Sequence, residues 1–408
     1  MNYFDLIRHV LANGLGMIIS LAYQIMVGRA LSGSDFARLQ SMFSWQAVIN
    51  GLFSYIVLVE TMRIAHLESK NNYDEIKVRL RLLQLTTYIL IFILTTSVLS
   101  ALLLNNSNYV SWIAYFHYVA LAFIYSLITA VTSGLRWFKV LSFQSLLPHA
   151  TKFFVTLLLL RVGLEFTGVA LALPASVILL NLILLWLLSR EFDRTGVLPK
   201  TETGNSKREV KKTLFTKLFS LAVGNASLAA AMNLDIILCT QALTNEQSAP
   251  YIKLSVMTKV FMYLMGAMGG IILPAASHAN NTGGSVKNIV LRTTFVSCLI
   301  GVVFIIGVRF TGADLANLVF STSYEFSPFV LTIAAIFSVV TGIYIMLFNY
   351  LAALGRSNYN YICAGIIAAV ISISYLIAPT IENILALATI AVSTNAFLGV
   401  ALTYYRKV

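Results

Sequence analysis

The chain is poor in charged side chains, and poorest in acidic ones. Only 11% of its 408 residues are charged, with 16 Asp and Glu against 28 Lys and Arg. Soluble domains carry about 25% charged residues. Hydrophobic residues make up 58% of the chain, and its mean hydropathy is +0.83. Such a chain could not cover its own surface in water, so the composition predicts a protein solvated by lipid.

Cysteine is scarce, and the common catalytic motifs are missing from the sequence. Cys239, Cys298 and Cys363 lie in apolar runs without disulfide or metal-ligand spacing. The sequence has no G-x-S-x-G, no H-E-x-x-H and no phosphate-binding loop. We therefore expect no enzymatic activity, no ATP hydrolysis, no metal site and no cofactor. Coupling to Na⁺ or H⁺ stays open.

Long apolar stretches dominate the rest of the chain. A membrane-spanning helix needs about 20 mostly apolar residues. Twelve stretches meet that length, near 10–30, 39–60, 83–104, 111–132, 141–161, 167–189, 217–241, 251–273, 288–309, 326–350, 358–378 and 383–404. The sequence therefore predicts an all-α membrane protein of about twelve transmembrane helices.

The chain divides into two similar halves. A hydrophilic, basic segment at 196–214 separates residues 1–195 from residues 215–408, and each half holds six stretches. Short matches, such as Ala30-Leu31 with Ala242-Leu243, recur at an offset of about half the chain. These matches favour two six-helix bundles joined by a cytoplasmic linker, an arrangement common in transporters.

Basic residues are distributed unevenly between the two sides of the predicted membrane. With the N-terminus inside, 21 of the 28 Lys and Arg fall in cytoplasmic segments and five in the opposite loops. Lys152 and Lys259 fall inside helices. This asymmetry predicts that both termini are cytoplasmic. The net charge of +12 is then explained by topology and by anionic membrane lipids, and no nucleic-acid partner is predicted.

The fifth stretch carries a polar face. Ser145, His149, Lys152 and Thr156 are spaced by four, three and four residues, so they share one side of a helix. An ionisable group at bilayer depth is costly unless it faces a cavity or a partner. We interpret this face as the lining of a water-filled cavity. The alternative is a lysine that extends to the membrane interface.

Other polar groups inside the stretches are open to two interpretations. They line a cavity for substrate, or they form interhelical hydrogen bonds. These groups are Gln24, Gln46, Asn50 and Asn225. Glu60 is either a coupling group or the partner of Arg63, three residues further along the helix.

Asp235 and Lys259 lie on consecutive predicted helices. One interpretation is a structural ion pair between them. In the other, Lys259, Lys152 and Arg29, with His149 nearby, give a central cavity positive potential. Asp235 would then tune that potential or bind a coupling cation.

Four segments resemble the Wzx type of polysaccharide flippase, in the multidrug/oligosaccharidyl-lipid/polysaccharide (MOP) exporter superfamily. They are GLGMIISLAYQIMVGRALSGSDFARLQSM at 14–42, NLDIILCTQALTNEQSAPYIKLSVMTKVFMYLMGAMGGIILPAASHA at 233–279, LANLVFSTSYEFSPFVLTI at 315–333 and LFNYLAALGRSNYNY at 347–361. Their order and spacing carry the resemblance, since each motif alone is mostly apolar. Ser321 stands where such sequences commonly have glycine.

The resemblance implies a V-shaped, MATE-like transporter of the bacterial inner membrane. It would translocate undecaprenyl-pyrophosphate-linked oligosaccharides by alternating access, for O-antigen, lipopolysaccharide, capsule or other surface polysaccharide biosynthesis. The implied partners are the lipid-linked oligosaccharide, membrane lipids, and a polymerase and chain-length regulator of the same pathway.

Two other functions compete with this one. A cation-coupled drug or small-molecule antiporter of the same superfamily should show a stronger acidic cluster and less need for lysines inside the membrane. A surface-glycan polymerase or ligase should carry a large outer loop, and every predicted outer loop here is short.

The predicted orientation can be measured directly. A reporter active only in the cytoplasm, fused within 200–212, should be active, because the segment carries the densest basic cluster of the chain. A matched fusion near Arg309 should be inactive. Activity of the second fusion and not of the first would reverse the topology.

Overall fold

The computed structural model describes residues 3–69, 73–103, 107–135, 137–194, 212–281, 286–353, 357–377 and 379–404. Thirteen helices occupy these ranges. They are α1 (Tyr3–Ala30), α2 (Gly33–Ser69), α3 (Tyr73–Leu103), α4 (Ser107–Gly134), α5 (Phe138–Arg161), α6 (Glu165–Arg194), α7 (Lys212–Met232), α8 (Leu234–Ala242), α9 (Asn245–Asn281), α10 (Val286–Phe320), α11 (Pro328–Ala353), α12 (Ser357–Ser374) and α13 (Ile381–Tyr404).

The predicted all-helical architecture is confirmed. Each predicted stretch corresponds to one helix, except 217–241, which covers both α7 and α8. Within the described ranges, nine helices are long and apolar enough to span a membrane, or ten if the bent pair α7–α8 forms one span. Most of the predicted linker, 196–211, lies outside the described residues.

Unit 1 consists of residues 1–31 and 53–211. Its buried core lies among α2, α3, α4 and α6, with Ile64, Ile76, Ile128 and Leu184 fully enclosed. Helix α5 packs against α1 and α6. The large aliphatic side chains of these four helices pack against one another and hold the helices together. In lipid the hydrophobic effect does not drive helix association, so this packing provides the attraction.

Unit 2 consists of residues 32–52 and 212–408. Helix α11 packs against α9, α10 and α13, while α12 packs against α7 and α13. Asn360 on α12 donates a hydrogen bond to the Ser220 carbonyl on α7 at 3.0 Å, and Tyr359 donates to the Asn395 carbonyl on α13 at 2.7 Å. The side chains of Asn360 and Tyr359 thus find partners on neighbouring helices.

Helix α2 is divided between the two units, which differs from the predicted boundary at 195. Its first half contacts unit 2, where Phe36 lies 5.8 Å from Phe320 between ring centroids and Ser41 accepts a hydrogen bond from Thr240 at 3.1 Å. At Gly51 the helices approach so closely that a Cβ would lie 2.6 Å from the Ala226 Cα. Residues 32–52 therefore belong with the second half of the chain.

Ser321 adopts a left-handed backbone conformation, with φ of 53°. It ends α10 and starts the turn that Asn317 organises through hydrogen bonds with Thr322 and Tyr324. A left-handed conformation costs an ordinary L-residue roughly 1–2 kcal/mol. This strain explains why glycine would suit the position.

Replacing Ser321 with glycine should therefore stabilise the protein by about 1 kcal/mol. A thermal melt of the purified protein in detergent measures the shift. Ser189→Gly is the matched control, because Ser189 is exposed inside α6, more than one turn from its end, and glycine there should destabilise by a similar amount. A lower melting temperature for Ser321→Gly would contradict the assignment of strain.

Candidate functional site

The break between α7 and α8 lies beside a buried polar site in unit 2. The two helices meet at Asn233 with a bend of 64°. Asn233 donates its side-chain amide to the Ala229 carbonyl at 2.9 Å. Asn side chains compete in this way for backbone partners and interrupt helices. The stretch predicted at 217–241 therefore contains a bend that the sequence analysis did not predict.

Asp235 follows the break and is buried, with 1% of its surface exposed. Its Oδ2 accepts two hydrogen bonds from α9, one from the Tyr251 hydroxyl at 2.7 Å and one from the Ser255 hydroxyl at 2.5 Å. Hydroxyl donors favour the charged carboxylate. The surroundings of Asp235 thus stabilise an anion that lies away from water.

Lys259 supplies the opposite charge. Its Nζ lies 3.3 Å from Asp235 Oδ1 and 3.3 Å from Asn233 Oδ1, and its side chain is 5% exposed. These two residues thus form one buried ion pair. A pair this buried survives because each charge compensates the other.

A spacing in the sequence shows that the partners of Asp235 on α9 share one helix face. Tyr251, Ser255 and Lys259 follow one another at intervals of four residues, so they form one stripe along α9. That stripe faces Asp235. Tyr251, Ser255 and Asn233 were not among the predicted site residues, because only the packing of α9 against α8 shows what the stripe contacts.

A second buried lysine lies near the start of α9. Lys253 is 4% exposed, and its Nζ lies 5.7 Å from the Phe320 ring centroid and 5.8 Å from the Tyr324 ring centroid. Both rings come from the end of α10 and the turn after it. Aromatic faces attract cations, so the two rings stabilise the ammonium.

In unit 1 the polar face of α5 packs against α1. Lys152 Nζ lies 4.3 Å from the Tyr23 ring centroid. A Cβ on Gly16 would lie 2.9 Å from the His149 ring, which shows how closely the helices approach there. The fifth-stretch residues thus share a face, as predicted. Their role in a cavity stays a prediction.

The ion-pair partner of Glu60 is not the nearby Arg63. Its Oε1 lies 2.5 Å from the Arg79 guanidinium on α3, while Arg63 contacts Glu75 at 2.8 Å. The interpretation of a Glu60–Arg63 pair is therefore wrong. Helix α3 begins directly after α2 and brings its own charged residues alongside, so Glu60 acts as a structural ion-pair partner in unit 1.

The remaining predicted site residues fall in both units. Gln24 and Arg29 belong to unit 1, with Arg29 exposed. Gln46, Asn50 and Asn225 belong to unit 2, where Gln46 is buried. A common cavity for all the predicted residues stays a prediction.

A groove runs between α1 and α5 of unit 1. It has a volume of about 440 Å³ and is lined by Arg8, Leu11, Ala12, Leu15, Ser142, Phe143 and Leu146. Leu11 and Phe143 are more than half exposed. The groove is apolar except near Arg8 and Ser142, so it suits a hydrocarbon chain with an anionic group at one end.

Known proteins share the fold of this chain but little of its sequence. No protein-family model matches it, and no curated protein matches it. An inward-facing multidrug resistance MATE family transporter of the MOP superfamily superposes with a TM-score of 0.68 at 13% identity, covering 96% of this chain and 94% of that one. An outward-facing structure of such a transporter gives 0.64 at 12% identity, covering 98% and 95%.

A third similar structure is a MOP superfamily transporter from Pyrococcus furiosus, described as having a binding pocket of reverse polarity that suggests a different function. It superposes with a TM-score of 0.66 at 12% identity, covering 98% of this chain and 95% of that one. These likenesses extend over nearly the whole chain. They establish a MATE-like fold and, with the apolar helices, a multi-pass membrane protein.

Removing either charge of the Asp235–Lys259 pair should destabilise unit 2. Asp235→Asn or Lys259→Met alone leaves an uncompensated buried charge, which costs about 3–5 kcal/mol. The double variant should lose less than the sum of the single losses. Melting temperatures of the four proteins in one detergent give the coupling energy. Additive losses would show that the two charges do not stabilise each other.

Proposed function

We propose that the protein is a flippase that moves lipid-linked oligosaccharides, joined to their lipid through pyrophosphate, across the bacterial inner membrane. It would work by alternating access, with both termini in the cytoplasm. The MATE-like fold supports transport as the general activity. The substrate class rests on the charges of this chain.

The observation that carries the proposal is the excess of lysines over acids among the enclosed charges. Lys253 and Lys259 are buried, and Lys152 lies near the middle of the span Val140–Arg161. Asp235 is the one fully buried acid among the described residues, and Lys259 pairs with it. A lysine at the centre of a helix costs roughly 2.5–3.5 kcal/mol on insertion. Lysines that attract an anionic substrate would give the protein a reason to bear this cost.

The same balance disfavours the drug antiporter. A cationic drug or a coupling cation needs an accessible carboxylate, and Asp235 already has an ammonium and two hydroxyls around it. A pyrophosphate carries the complementary charge and accepts hydrogen bonds from lysine. The charges therefore favour the anionic substrate.

The groove between α1 and α5 adds support for a lipid-linked substrate. Its apolar lining fits an isoprenoid chain, and Arg8 can contact a phosphate at one end. The polymerase or ligase alternative has less support, because the described connections between helices are short.

The proposal is tested on Lys152. In a strain that lacks its own oligosaccharide flippase, Lys152→Met should reduce surface-glycan display at least tenfold at equal protein level, because a positive charge near the middle of the span, which would attract the phosphate, is lost. Lys152→Arg should retain part of the activity. Arg161→Met is the matched control on the same helix, since Arg161 is exposed at its end.

The same variants distinguish the alternatives. Purified protein in liposomes should translocate a fluorescent polyprenyl-pyrophosphate oligosaccharide, and Lys152→Met should slow it. Drug susceptibility of the strain should not change with any variant. Full glycan display by Lys152→Met, or drug resistance conferred by the unaltered protein, would contradict the flippase function.

A further inference from the structure

The turn between α7 and α8 has the composition of a small cation site. Two side-chain oxygens, Asp235 Oδ1 and Asn233 Oδ1, each lie 3.3 Å from one point, and that point is occupied by Lys259 Nζ. Carboxylate and amide oxygens are the ligands that hard cations prefer. An ammonium has the same single positive charge as Na⁺ but is fixed to the chain.

The rest of the site fixes the carboxylate for this purpose. Tyr251 and Ser255 both donate to Asp235 Oδ2, which leaves Oδ1 directed at the ammonium. Both donors come from α9, one and two turns before Lys259 itself. One helix thus orients the carboxylate and also supplies the cation. Because Asp235 is 1% exposed and the Lys259 side chain is 5% exposed, water does little to compensate the two charges.

We propose that Lys259 is a tethered cation, which fills a monovalent-cation site formed by Asp235 and Asn233 and excludes Na⁺ from it. The Asp235 site therefore takes no Na⁺ from solution while Lys259 is present. Removing the ammonium opens a site of two oxygens, with space left by the four-carbon side chain. This inference holds whichever substrate the protein carries, because it concerns only cation binding at Asp235.

The test compares cation binding by purified variants in detergent. Melting temperatures are measured in NaCl, KCl and choline chloride at equal ionic strength, because choline is too large for the site. The unaltered protein should melt at the same temperature in all three salts. Lys259→Ala should melt lower in choline and recover by several degrees in NaCl or KCl, since a ligand that binds only the folded state stabilises it. Radioactive ²²Na⁺ should bind to this variant at one site.

Two further variants test whether the salt-specific recovery depends on the Asp235 carboxylate and on the loss of the Lys259 ammonium. Lys259→Ala combined with Asp235→Asn should lose both the salt-specific recovery and the ²²Na⁺ binding. Lys253→Ala is the matched control, because Lys253 is a buried lysine on the same helix that contacts aromatic rings and forms no ion pair with an acid in the described ranges. It should melt lower than the unaltered protein without preferring any of the three salts.

Two results would overturn the proposal. One is Na⁺-specific stabilisation of the unaltered protein that Asp235→Asn abolishes, since Na⁺ would then enter beside Lys259. The other is a Lys259→Ala protein with normal helix content and no salt preference. If Lys259→Ala does not fold, Lys259→Gln replaces it, because glutamine removes the charge and keeps much of the side-chain volume. Folding of Lys259→Ala only in NaCl or KCl would support the proposal.

Discussion

A charged side chain inside a membrane-spanning helix must find its counterpart within the protein, because hydrocarbon provides neither water nor counterions. The Asp235–Lys259 pair meets this constraint most completely in the described part of the chain. It brings α8 and α9 together at the place where α7 stops being helical. The broken helix and the ion pair are one structural unit, since Asn233 ends the helix with one side-chain atom and contacts the lysine with another.

The same constraint explains how the other lysines are kept. Lys152 lies against Tyr23, and Lys253 lies beside Phe320 and Tyr324. An aromatic ring offsets part of the cost of burying a cation and adds no opposite full charge. The surroundings of Lys253 therefore differ from those of Lys259. A lysine on a ring still contributes a positive potential, whereas a lysine beside a carboxylate is largely neutralised.

The number and positions of the helices could be predicted from the sequence, because a span needs a long apolar run and such runs are visible. The break at Asn233 could not, since the run is apolar on both sides of it and hydropathy does not detect a local competition for backbone hydrogen bonds. Glu60 shows a second limit. Arg63 is its neighbour along the helix, but Arg79 on α3 contacts it, and only tertiary packing decides between them.

The division of α2 between the two units could not be predicted either, because it also depends on tertiary packing. Its apolar pattern predicts one continuous helix, which α2 is, but not which neighbours each half contacts. Small residues decide that, because Gly51 allows the backbone of α7 to approach closely. The surroundings of the buried lysines bear on the function that we propose. The ammonium of Lys253 lies near two aromatic rings, whereas that of Lys259 lies beside a carboxylate. A ring compensates a positive charge less completely than a carboxylate does, so the charge of Lys253 is the better suited of the two to attract the anionic substrate that we propose.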